Sequence, residues 1–533
     1  MSAAPYHLVG VDVGTGSARA GVFTPEGRML ASAKRDIANF HDSGGMVEQS
    51  STDIWNAVCF CVKEAVRLSG IAPASVAGLG FDATCSLVVL GQGGVPLPVG
   101  PSEDPERDII VWMDHRAVAE AERINAIGHE VLRYVGGTIS PEMQTPKLLW
   151  LSENRPQVFR DAWQFFDLSD FLSWRATGSL VRSSCTVTCK WTYLAHEQRW
   201  DPSYFEQVGL GELAREGFVR IGTEVVPPGT RVGGLNEAAA TELGLMAGTP
   251  VAAGMIDAHA GGIGTVGAIG AATDNLGYVF GTSSCTMTSS ATPAFVPGIW
   301  GPYFDAMVPG MWLSEGGQSA AGAAIDRLVA LHPATATARE SAERLGQSLP
   351  GYLARSAEQL AGGASGAVRL ADGLHVVPEF LGNRAPFADP HARAIIAGLG
   401  MDQSEASLVA LYIAGLCGIG YGLRQIIETQ NSQGVRVKRI VISGGAGGDD
   451  LVRQLLADAT GLPVVATAAE EPVLLGSAIL GGMAAERWPS MHEAMAAMTS
   501  VRTTYEPIEG ELQVIHAQRA QTYGLLQALM RSR

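Results

Sequence analysis

Residues 7–23 read HLVGVDVGTGSARAGVF, and this stretch decides the fold class. The apolar run through Val13 predicts a buried strand, Gly14-Thr15-Gly16-Ser17 predicts a turn, and Arg19 to Phe23 predicts a second strand. A further turn at Pro25-Glu26-Gly27 leads to a third strand, so the chain opens as an antiparallel β-meander. The glycines of the first turn let the backbone approach a ligand closely.

The same pattern returns in the middle of the chain, where residues 272–289 read ATDNLGYVFGTSSCTMTS. A strand through Phe280, a Gly281-Thr282-Ser283-Ser284 turn and another strand are predicted there. Two halves that begin alike suggest an internal duplication, in which each half lends one hydroxyl-bearing glycine turn to a shared cleft. Two unrelated hairpins are the alternative. We place an N-terminal lobe at residues 1–268 and a C-terminal lobe at residues 269–533.

Helices and further strands complete each predicted lobe. In the first lobe a helix is predicted from Thr52 to Leu68, followed by a short strand from Val76 to Phe81 with Asp82 at its end. A buried strand from Pro250 to Met255 precedes a helix of small residues that Asp257 opens. Strands that alternate with helices indicate an α/β architecture.

A second glycine-rich segment lies near the end of the chain. The sequence predicts a strand at Arg439–Ser443, a loop of glycines at 444–448 and a helix at Asp449–Thr460, after a long helix at Ser404–Thr429. A strand, a glycine loop and a helix are typical of a nucleotide site, because helix N-terminal N–H groups can receive a phosphate or a ribose. An ordinary tight turn between strand and helix is the alternative.

Composition limits the partners of the protein. The chain has 65 glycines in 533 residues, well above the ~7% that is typical. Its 37 basic and 53 acidic residues give a net charge of −16. A chain this acidic has no broad attraction for a nucleic-acid backbone or an anionic membrane surface, so neither partner is expected.

No targeting segment is expected either. The first residues, MSAAPYHLVGVDVGTG, lack the basic stretch and apolar run of a secretory signal. The apolar run from Leu408 to Leu423 is shorter than the ~20 residues that span a membrane. Seven cysteines, an odd count in a large chain without a signal, are expected to be reduced thiols, which predicts a cytoplasmic protein.

The glycine turns suggest phosphoryl transfer to a small hydroxyl compound. Such chemistry needs backbone donors around the phosphates, an acid for Mg²⁺, and a carboxylate base for the acceptor hydroxyl. Asp12, at the end of a strand, suits a hydrated Mg²⁺, while Gly14 and the Gly281-Thr282-Ser283 turn could clasp the phosphates from two sides. The sequence contains no G-x4-G-K-[ST] motif and no protein-kinase catalytic set, so neither of those classes is indicated.

Asp257 is the best candidate for the base. It follows a buried strand and opens a helix, whose dipole favours the ionised carboxylate. An N-cap aspartate is the alternative. His259, two residues further on, is expected to be a neighbour on the helix rather than a participant in the chemistry.

These motifs, in this order, resemble the FGGY carbohydrate kinases over nearly the whole chain. The resemblance implies an α/β, two-lobe actin-like ATPase (ribonuclease H-like) fold with an inter-lobe cleft, an ATP-dependent sugar kinase, and Mg²⁺ as cofactor. Its motifs are Gly10-Val-Asp12-Val-Gly-Thr-Gly-Ser17, Val47-Glu48-Gln49, Gly248-Thr-Pro-Val-Ala-Ala-Gly254, Gly281-Thr-Ser283, Glu315-Gly-Gly-Gln318, Ser443-Gly-Gly-Ala446 and Leu475-Gly-Ser-Ala478.

The resemblance implies a role for each matching position. Asp257 falls where the family has its catalytic base, and Asp449 departs from the Asn of some relatives, which puts its adenosine contact in doubt. The residues implied to bind ATP are Gly14, Thr15 and Ser17 in the first phosphate loop, Gly281 and Thr282 in the second, Gly322 and Asp326 on the helix after Glu315, and Gly444, Gly445 and Asp449 in the adenosine motif.

For the acceptor, the resemblance points to the D-ribulokinase subgroup. The segments that carry it are Thr84-Cys85-Ser-Leu-Val88 and Cys189-Lys190-Trp191. Lys190 offers three donors to sugar oxygens, Glu315 could accept from sugar hydroxyls, and Asp82 could orient the Thr84 loop, although each has a structural alternative. Asp114 and Arg116 are expected to form a structural ion pair before they serve as sugar contacts.

The expected reaction is therefore phosphorylation of the terminal hydroxyl of a pentulose, D-ribulose first, to a 5-phosphate. Ribitol, L-ribulose and D-xylulose are alternative substrates. A sugar sensor without activity, or an actin-like ATPase that needs no sugar, is the alternative from another class. The small sugar and ATP are the expected partners, and the resemblance also allows a homodimer.

Overall fold

A computed structural model describes residues 6–531. Two mixed sheets organise the two halves of the chain, and ten strands form their common frame. In the first sheet these are β1 His7–Val13, β2 Ser17–Phe23, β3 Met29–Asp36, β4 Val76–Ala83 and β5 Pro250–Ala252, and in the second β6 Asn275–Phe280, β7 Ser284–Ser290, β8 Trp312–Gln318, β9 Arg439–Ser443 and β10 Val464–Thr467.

The two frames have the same topology. The first sheet runs β3-β2-β1-β4-β5 and the second β8-β7-β6-β9-β10. In each, the first three strands pair antiparallel and the last two join in parallel. The first glycine turn in each half is closed by its own glycine N–H, from Gly14 to the Ser17 carbonyl and from Gly281 to the Ser283 carbonyl, both at 3.0 Å. The repeat confirms the predicted duplication and excludes two unrelated hairpins.

Additional strands extend the frames. Arg231–Gly234 and Met255–Ile256 join the first sheet, and Trp300–Phe304 and Val501–Tyr505 the second. Smaller sheets contain Phe40–Asp42, Met46–Gln49, Leu87–Gly91, Val95–Pro96, Ile109–Ile110 and Ala162–Asp167, then Arg182–Ser183 with Val225–Val226, and His375–Val377 with Ile395–Ala397.

Eight helices matter for the site and its packing. They are α1 Ser51–Ser69, α2 Ser184–Trp191, α3 Asp257–Val266, α4 Gly322–Ala330, α5 Glu405–Ser432, α6 Asp450–Thr460, α7 Pro472–Ala484 and α8 Glu511–Arg531. The others are Val118–Ile127, Gln144–Asn154, Pro156–Asp161, Leu168–Thr177, Pro202–Gln207, Gly211–Arg215, Glu237–Leu243, Thr335–Arg344, Leu349–Ala361 and Met491–Met498.

Helix ends account for most small differences from the sequence prediction. Helix α1 begins at Ser51, one residue before the predicted start, and Ser50 caps it by accepting from the Asp53 N–H at 3.2 Å. Residues Ala272–Asp274, predicted as the start of a strand, form a short 3-10 turn before β6. Both differences are of one to three residues, the scale on which local patterns fail to fix a boundary.

Helix α7 comes from the C-terminal half but packs on the first sheet. Its backbone lies so close to β1 and β4 that a Cβ at Gly10 would come within 2.1 Å of the Leu474 carbonyl oxygen. A Cβ at Gly80 would come within 2.0 Å of the Ser477 carbonyl oxygen. Glycine is therefore required on the sheet at these positions, which explains part of the glycine excess. The division at residue 268 stays a prediction, since this helix joins the two halves.

Helix α5 is long and apolar enough to cross a membrane by length and composition. In its most apolar window, however, 83% of the residues are buried inside the protein. Its buried residues include Leu408, Leu416 and Leu423, which belong to the apolar core of the second half. This burial is that of a core helix.

Candidate active site

A cavity of about 610 Å³ lies between the two sheets. Its volume falls in the ~300–1,000 Å³ range of small-molecule sites. Five residues predicted from the sequence line it, and they come from both halves: Asp12, Gly14, Asp257, Gly444 and Gly445. A cleft between the two halves is therefore present, and the first glycine turn reaches it through Gly14.

Asp12 is paired with an arginine that the sequence prediction missed. Asp12 on β1 lies directly opposite Arg19 on β2, and the guanidinium donates to Asp12 Oδ2. Arg19 also donates to Glu471 Oε2 at 2.8 Å, and all three residues line the cavity. Because Asp12 and Arg19 are equally spaced from the turn between their strands, the hairpin register itself was the signal that could have found Arg19.

Three carboxyl groups lie close together beside the cavity, those of Asp12, Asp82 and Asp257. Asp82 on β4 lies in register with Asp12 on β1 and is fully buried, and Ser477 of α7 donates to it. Burial, and then the charge of Asp12, raises the pKa of Asp82 well above its ordinary value, which favours the protonated acid. The hydrogen bond that the structure gives this carboxyl group is the one from Ser477, so the orientation of the Thr84 loop by Asp82 stays a prediction.

Asp257 is the first residue of α3 and is half-buried at the cavity wall. Its Oδ1 accepts from the N–H of Ala258 at 2.7 Å. Burial, and then the charge of Asp12, raises the pKa of Asp257 to about 6. A carboxylate that is ionised at neutral pH, yet more basic than a free aspartate, is suited to accept a proton.

The first glycine turn is held in place through Thr15. The Thr15 carbonyl accepts from the side-chain amides of Asn39 at 2.9 Å and Gln49 at 2.8 Å. Its hydroxyl accepts from the indole N–H of Trp112 at 2.9 Å. Ser17 is half-buried, and its carbonyl closes the turn. Among the predicted residues of this turn, only Gly14 reaches the cavity wall.

The second glycine turn is fused to the start of α4. The N–H groups of Ala321 and Gly322 donate to the carbonyls of Thr282 and Gly281, each at 2.9 Å. A Cβ at Gly322 would lie 2.7 Å from the Gly281 oxygen and 3.3 Å from Ala446 Cβ. The start of α4 therefore packs against the glycine loop at residues 444–448. Gly281, Thr282 and Gly322 do not line the cavity, so their contacts with ATP stay predictions. Thr282 itself is exposed.

The glycine loop at residues 444–448 needs glycine at position 444, both for backbone conformation and for space. Gly444 has φ of 92°, and its Cβ would lie 2.5 Å from the Phe280 carbonyl oxygen. Asp449, predicted to begin the next helix, is its N-cap: the carboxylate accepts from the Leu451 N–H at 2.9 Å. Burial, and then the charges of Asp449 and the exposed Asp326, raise the pKa of Tyr412. Neither aspartate lines the cavity.

Lys190, Cys85 and Glu315, predicted to contact the sugar, form a second cluster. Lys190 on α2 is buried, and its ammonium lies 5.6 Å from the centre of the Trp300 ring. Burial opposes the charge of Lys190, but the neighbouring Glu315 carboxylate raises its pKa above the ordinary value. The ammonium and the Glu315 carboxylate together offer donors and acceptors for hydroxyl groups.

Thr84 and Cys85 connect the three carboxyl groups beside the cavity with the second cluster. The Thr84 N–H donates to the Val13 carbonyl at 2.9 Å, so the loop that follows β4 is tied to the end of β1, the strand that carries Asp12. The Thr84 hydroxyl bonds to that of Ser86 at 3.1 Å. Burial raises the pKa of the Cys85 thiol to about 12, so Cys85 is present as a neutral thiol.

The predicted structural role of Asp114 and Arg116 is confirmed. Arg116 donates to both carboxylate oxygens of Asp114, at 2.9 and 2.8 Å, and to Glu48 at 2.7 Å. Asp114 also accepts from the Val47 N–H at 2.6 Å. All three side chains are fully buried, which leaves no face for a sugar.

Comparison with known proteins agrees with this geometry. The N-terminal domain model of the FGGY family of carbohydrate kinases matches residues 7–264, and the C-terminal domain model matches residues 276–485. The chain belongs to the FGGY family of carbohydrate kinases. As an FGGY kinase, it is a sugar kinase that transfers phosphate, with ATP as the family's phosphate donor.

The relatives of this FGGY kinase include proteins that match at least 90% of its chain. An FGGY carbohydrate kinase domain-containing protein of Homo sapiens is 46% identical over 93% of this chain and 91% of its own length. A D-ribulokinase of Saccharomyces cerevisiae is 39% identical over 90% of this chain and 72% of its own length. A xylulose kinase structure from Rhodospirillum rubrum superposes with a TM-score of 0.81, 20% identity and 99% coverage of both chains, which shows the fold.

Several residues around this FGGY kinase site escaped sequence reasoning. Arg384 and Tyr303 surround Lys190 and Glu315, and Arg384 lies 5.6 Å from the Trp300 ring centre. Arg453 and Thr467 line the cavity. They come from elements far apart in the chain, so no local motif marks them as one site.

Proposed function

We propose that this FGGY kinase transfers the terminal phosphoryl group of ATP to the 5-hydroxyl of D-ribulose. One observation carries the proposal: Asp257 lines the same cavity as Gly14 and Gly444. The positive charges of His259 and of Lys190 in the second cluster also act on its carboxylate and offset part of the rise in pKa that burial causes. The base therefore lies between the candidate nucleotide site and the candidate sugar site. The 39% identity to a D-ribulokinase supports the choice of sugar.

Each group of residues has a separate role in an in-line transfer of the phosphoryl group. Asp257 accepts the proton of the attacking hydroxyl, and Lys190 and Glu315 orient the sugar by bonds to its other oxygens. Backbone N–H groups of the glycine turns stabilise the charge that spreads over the phosphoryl oxygens. Arg453 and the loop at Gly444 and Gly445 lie where the nucleoside end would bind.

Asp12 is the residue that would hold Mg²⁺. Within residues 6–531, no group of three or more histidine, cysteine or carboxylate side chains is arranged as a complete metal site. A single carboxylate at the wall of the cavity fits Mg²⁺, which binds through one or two carboxylates and the substrate phosphates. When bound, the ion supplies positive charge against the ATP phosphates.

The substrate is tested by sugar-dependent ADP release. The purified protein is assayed with ATP and Mg²⁺ against D-ribulose, L-ribulose, D-xylulose and ribitol. We expect the highest kcat/KM with D-ribulose and a 5-phosphate product by NMR. A higher kcat/KM for another member of the panel would reassign the sugar, while ADP release without any sugar would indicate an ATPase.

Activity should depend on pH through Asp257. The base must be ionised, and its pKa is about 6, so kcat/KM for the sugar should be flat above about pH 7 and fall about tenfold per pH unit below 6. The measurement is a pH profile at saturating ATP and Mg²⁺. In Asp257→Asn the residual rate should lose this acid limb, whereas a limb shared by both proteins would assign it to another group.

Lys190→Met should weaken sugar binding. Loss of a charged donor costs about 1.5–3 kcal/mol, which corresponds to a rise of roughly 10- to 100-fold in the KM for D-ribulose. The KM for ATP should stay at the wild-type value, because Lys190 does not line the nucleotide cavity. Lys34→Met is the matched control, since Lys34 is exposed on β3. An unchanged sugar KM in Lys190→Met would make this lysine structural.

A further inference from the structure

A buried chain of three side chains links the elements of the candidate sugar site. The sulfur of Cys185 on α2 lies 3.2 Å from His259 Nδ1 on α3, and His259 Nε2 lies 3.4 Å from Glu315 Oε2 on β8. Cys185 and His259 are 0% exposed and Glu315 is 9% exposed. We call this arrangement the Cys185–His259–Glu315 chain.

The Cys185–His259–Glu315 chain lies on the same elements as the proposed residues of the sugar site. Cys185 precedes Lys190 on the same short helix, and His259 follows Asp257 on α3 by two residues. The sulfur of Cys185 also accepts from the N–H of Ile256 at 3.4 Å, directly before Asp257. One imidazole therefore joins the helix of the proposed base, the helix of Lys190 and the strand of Glu315.

Both oxygens of Glu315 are occupied by neighbours. His259 lies at Oε2, and the thiol of Cys285 donates to Oε1 at 3.6 Å. The charges that face this carboxylate are His259, Lys190 and Arg384. His259 is the one of them that makes a hydrogen bond to the carboxylate, so it fixes direction as well as charge.

Electrostatics supports a charged form of the chain. Burial opposes each charge, but Cys185 and Glu315 raise the pKa of His259 to about 10. The His259 hydrogen bond, with Lys190, lowers the pKa of Glu315 to about 2. The Cys189 thiol and His259 lower the pKa of Cys185 to about 5. A thiolate, an imidazolium and a carboxylate alternate in sign, with the Lys190 ammonium beside them, so the buried charges balance.

We propose that His259 is a positioning residue of the sugar site: it orients the Glu315 carboxylate toward the acceptor sugar, and Cys185 anchors the opposite nitrogen of its ring. The inference rests on the proposed function, because the partner of Glu315 is a sugar hydroxyl. It assigns to His259 a role that its position on the helix alone did not indicate.

The test is His259→Gln, assayed with D-ribulose across pH. We expect the sugar KM to rise about tenfold or more, the size of one lost charge-assisted hydrogen bond, with the KM for ATP unchanged. Without the imidazolium, the pKa of Glu315 rises, so kcat/KM for the sugar should fall more steeply on the acid side than it does in the wild type, where only the Asp257 limb is expected. Glutamine keeps one hydrogen-bond donor but carries no charge. If His259 served only in packing, the pH profile of His259→Gln would therefore stay parallel to that of the wild type.

Two further variants keep the proposal testable if His259→Gln folds poorly. Cys185→Ser removes the negative end of the chain and should raise the sugar KM by a smaller factor in the same direction. His332→Gln is the matched control, because His332 bonds to Ser407 on α5 and does not line the cavity. It should leave the sugar KM and the pH profile as they are.

A spectroscopic measurement tests the charge of the imidazole without any substrate. In protein labelled with ¹⁵N on the histidine rings, one ring that responds to Cys185→Ser should be doubly protonated at pH 8. A neutral ring there would overturn the proposal, as would an unchanged sugar KM with a parallel pH profile in an active His259→Gln. If the wild type releases no ADP with any sugar of the panel, the proposed function fails, and the positioning role fails with it.

Discussion

Asp257→Asn should lower kcat for D-ribulose phosphorylation by about 100- to 10,000-fold, the contribution of a positioned general base. The amide has the shape of the carboxylate and can still accept from the Ala258 N–H, but it cannot take the proton of the sugar hydroxyl. The loss should appear in kcat, because the base acts on the reacting oxygen in the transition state.

The measurement is steady-state ADP release at saturating D-ribulose and ATP, with ADP affinity determined separately by calorimetry. ADP affinity should stay close to that of the wild type. Asp274→Asn is the control, because Asp274 pairs with Lys438 at 2.9 Å and does not line the cavity. Wild-type kcat in Asp257→Asn would remove this residue as the base and leave its carboxylate as a helix-start residue.

Local patterns predicted the parts of the fold that repeat over short distances. The strands around Gly14 and Gly281 follow from apolar runs interrupted by glycine turns, and their similarity predicted the duplicated sheet. The position of Asp257 at a strand–helix junction was equally visible, because both elements are adjacent in the chain. The register of the hairpin could also have predicted Arg19, because Arg19 pairs across the turn with Asp12.

Contacts between distant segments were not predictable in the same way. Asp82 and Ser477 are 395 residues apart, and His259 and Glu315 are 56 apart on different elements. Their pairing depends on how α7 and β8 are placed by the whole fold, which no period or spacing encodes. Asp449 shows a smaller limit: an aspartate before a helix is compatible with an N-cap and with a ligand contact, and the pattern is the same for both.

Gly476→Ala should destabilise the protein by about 3 kcal/mol or more, at or above the upper end of ordinary overpacking. Gly476 on α7 lies against α3, where a Cβ would come within 1.9 Å of the Ala260 carbonyl oxygen and 2.6 Å of its carbon. The obstacle is helix backbone, which cannot rotate away as a side chain would. The two helices must therefore separate, and since Asp257 begins α3, kcat should fall as well.

Gly524→Ala on α8 is the matched control, since nothing lies within 4 Å of a Cβ there and alanine favours a helix by about 1 kcal/mol over glycine. The free energy of unfolding, measured with denaturant, should therefore change in opposite directions for the two substitutions, although each adds the same methyl group to a helix. The contrast isolates the backbone contact between α7 and α3 from helix propensity. A Gly476→Ala protein as stable as the wild type would mean that these helices do not meet backbone to backbone, and that glycine at 476 serves another purpose.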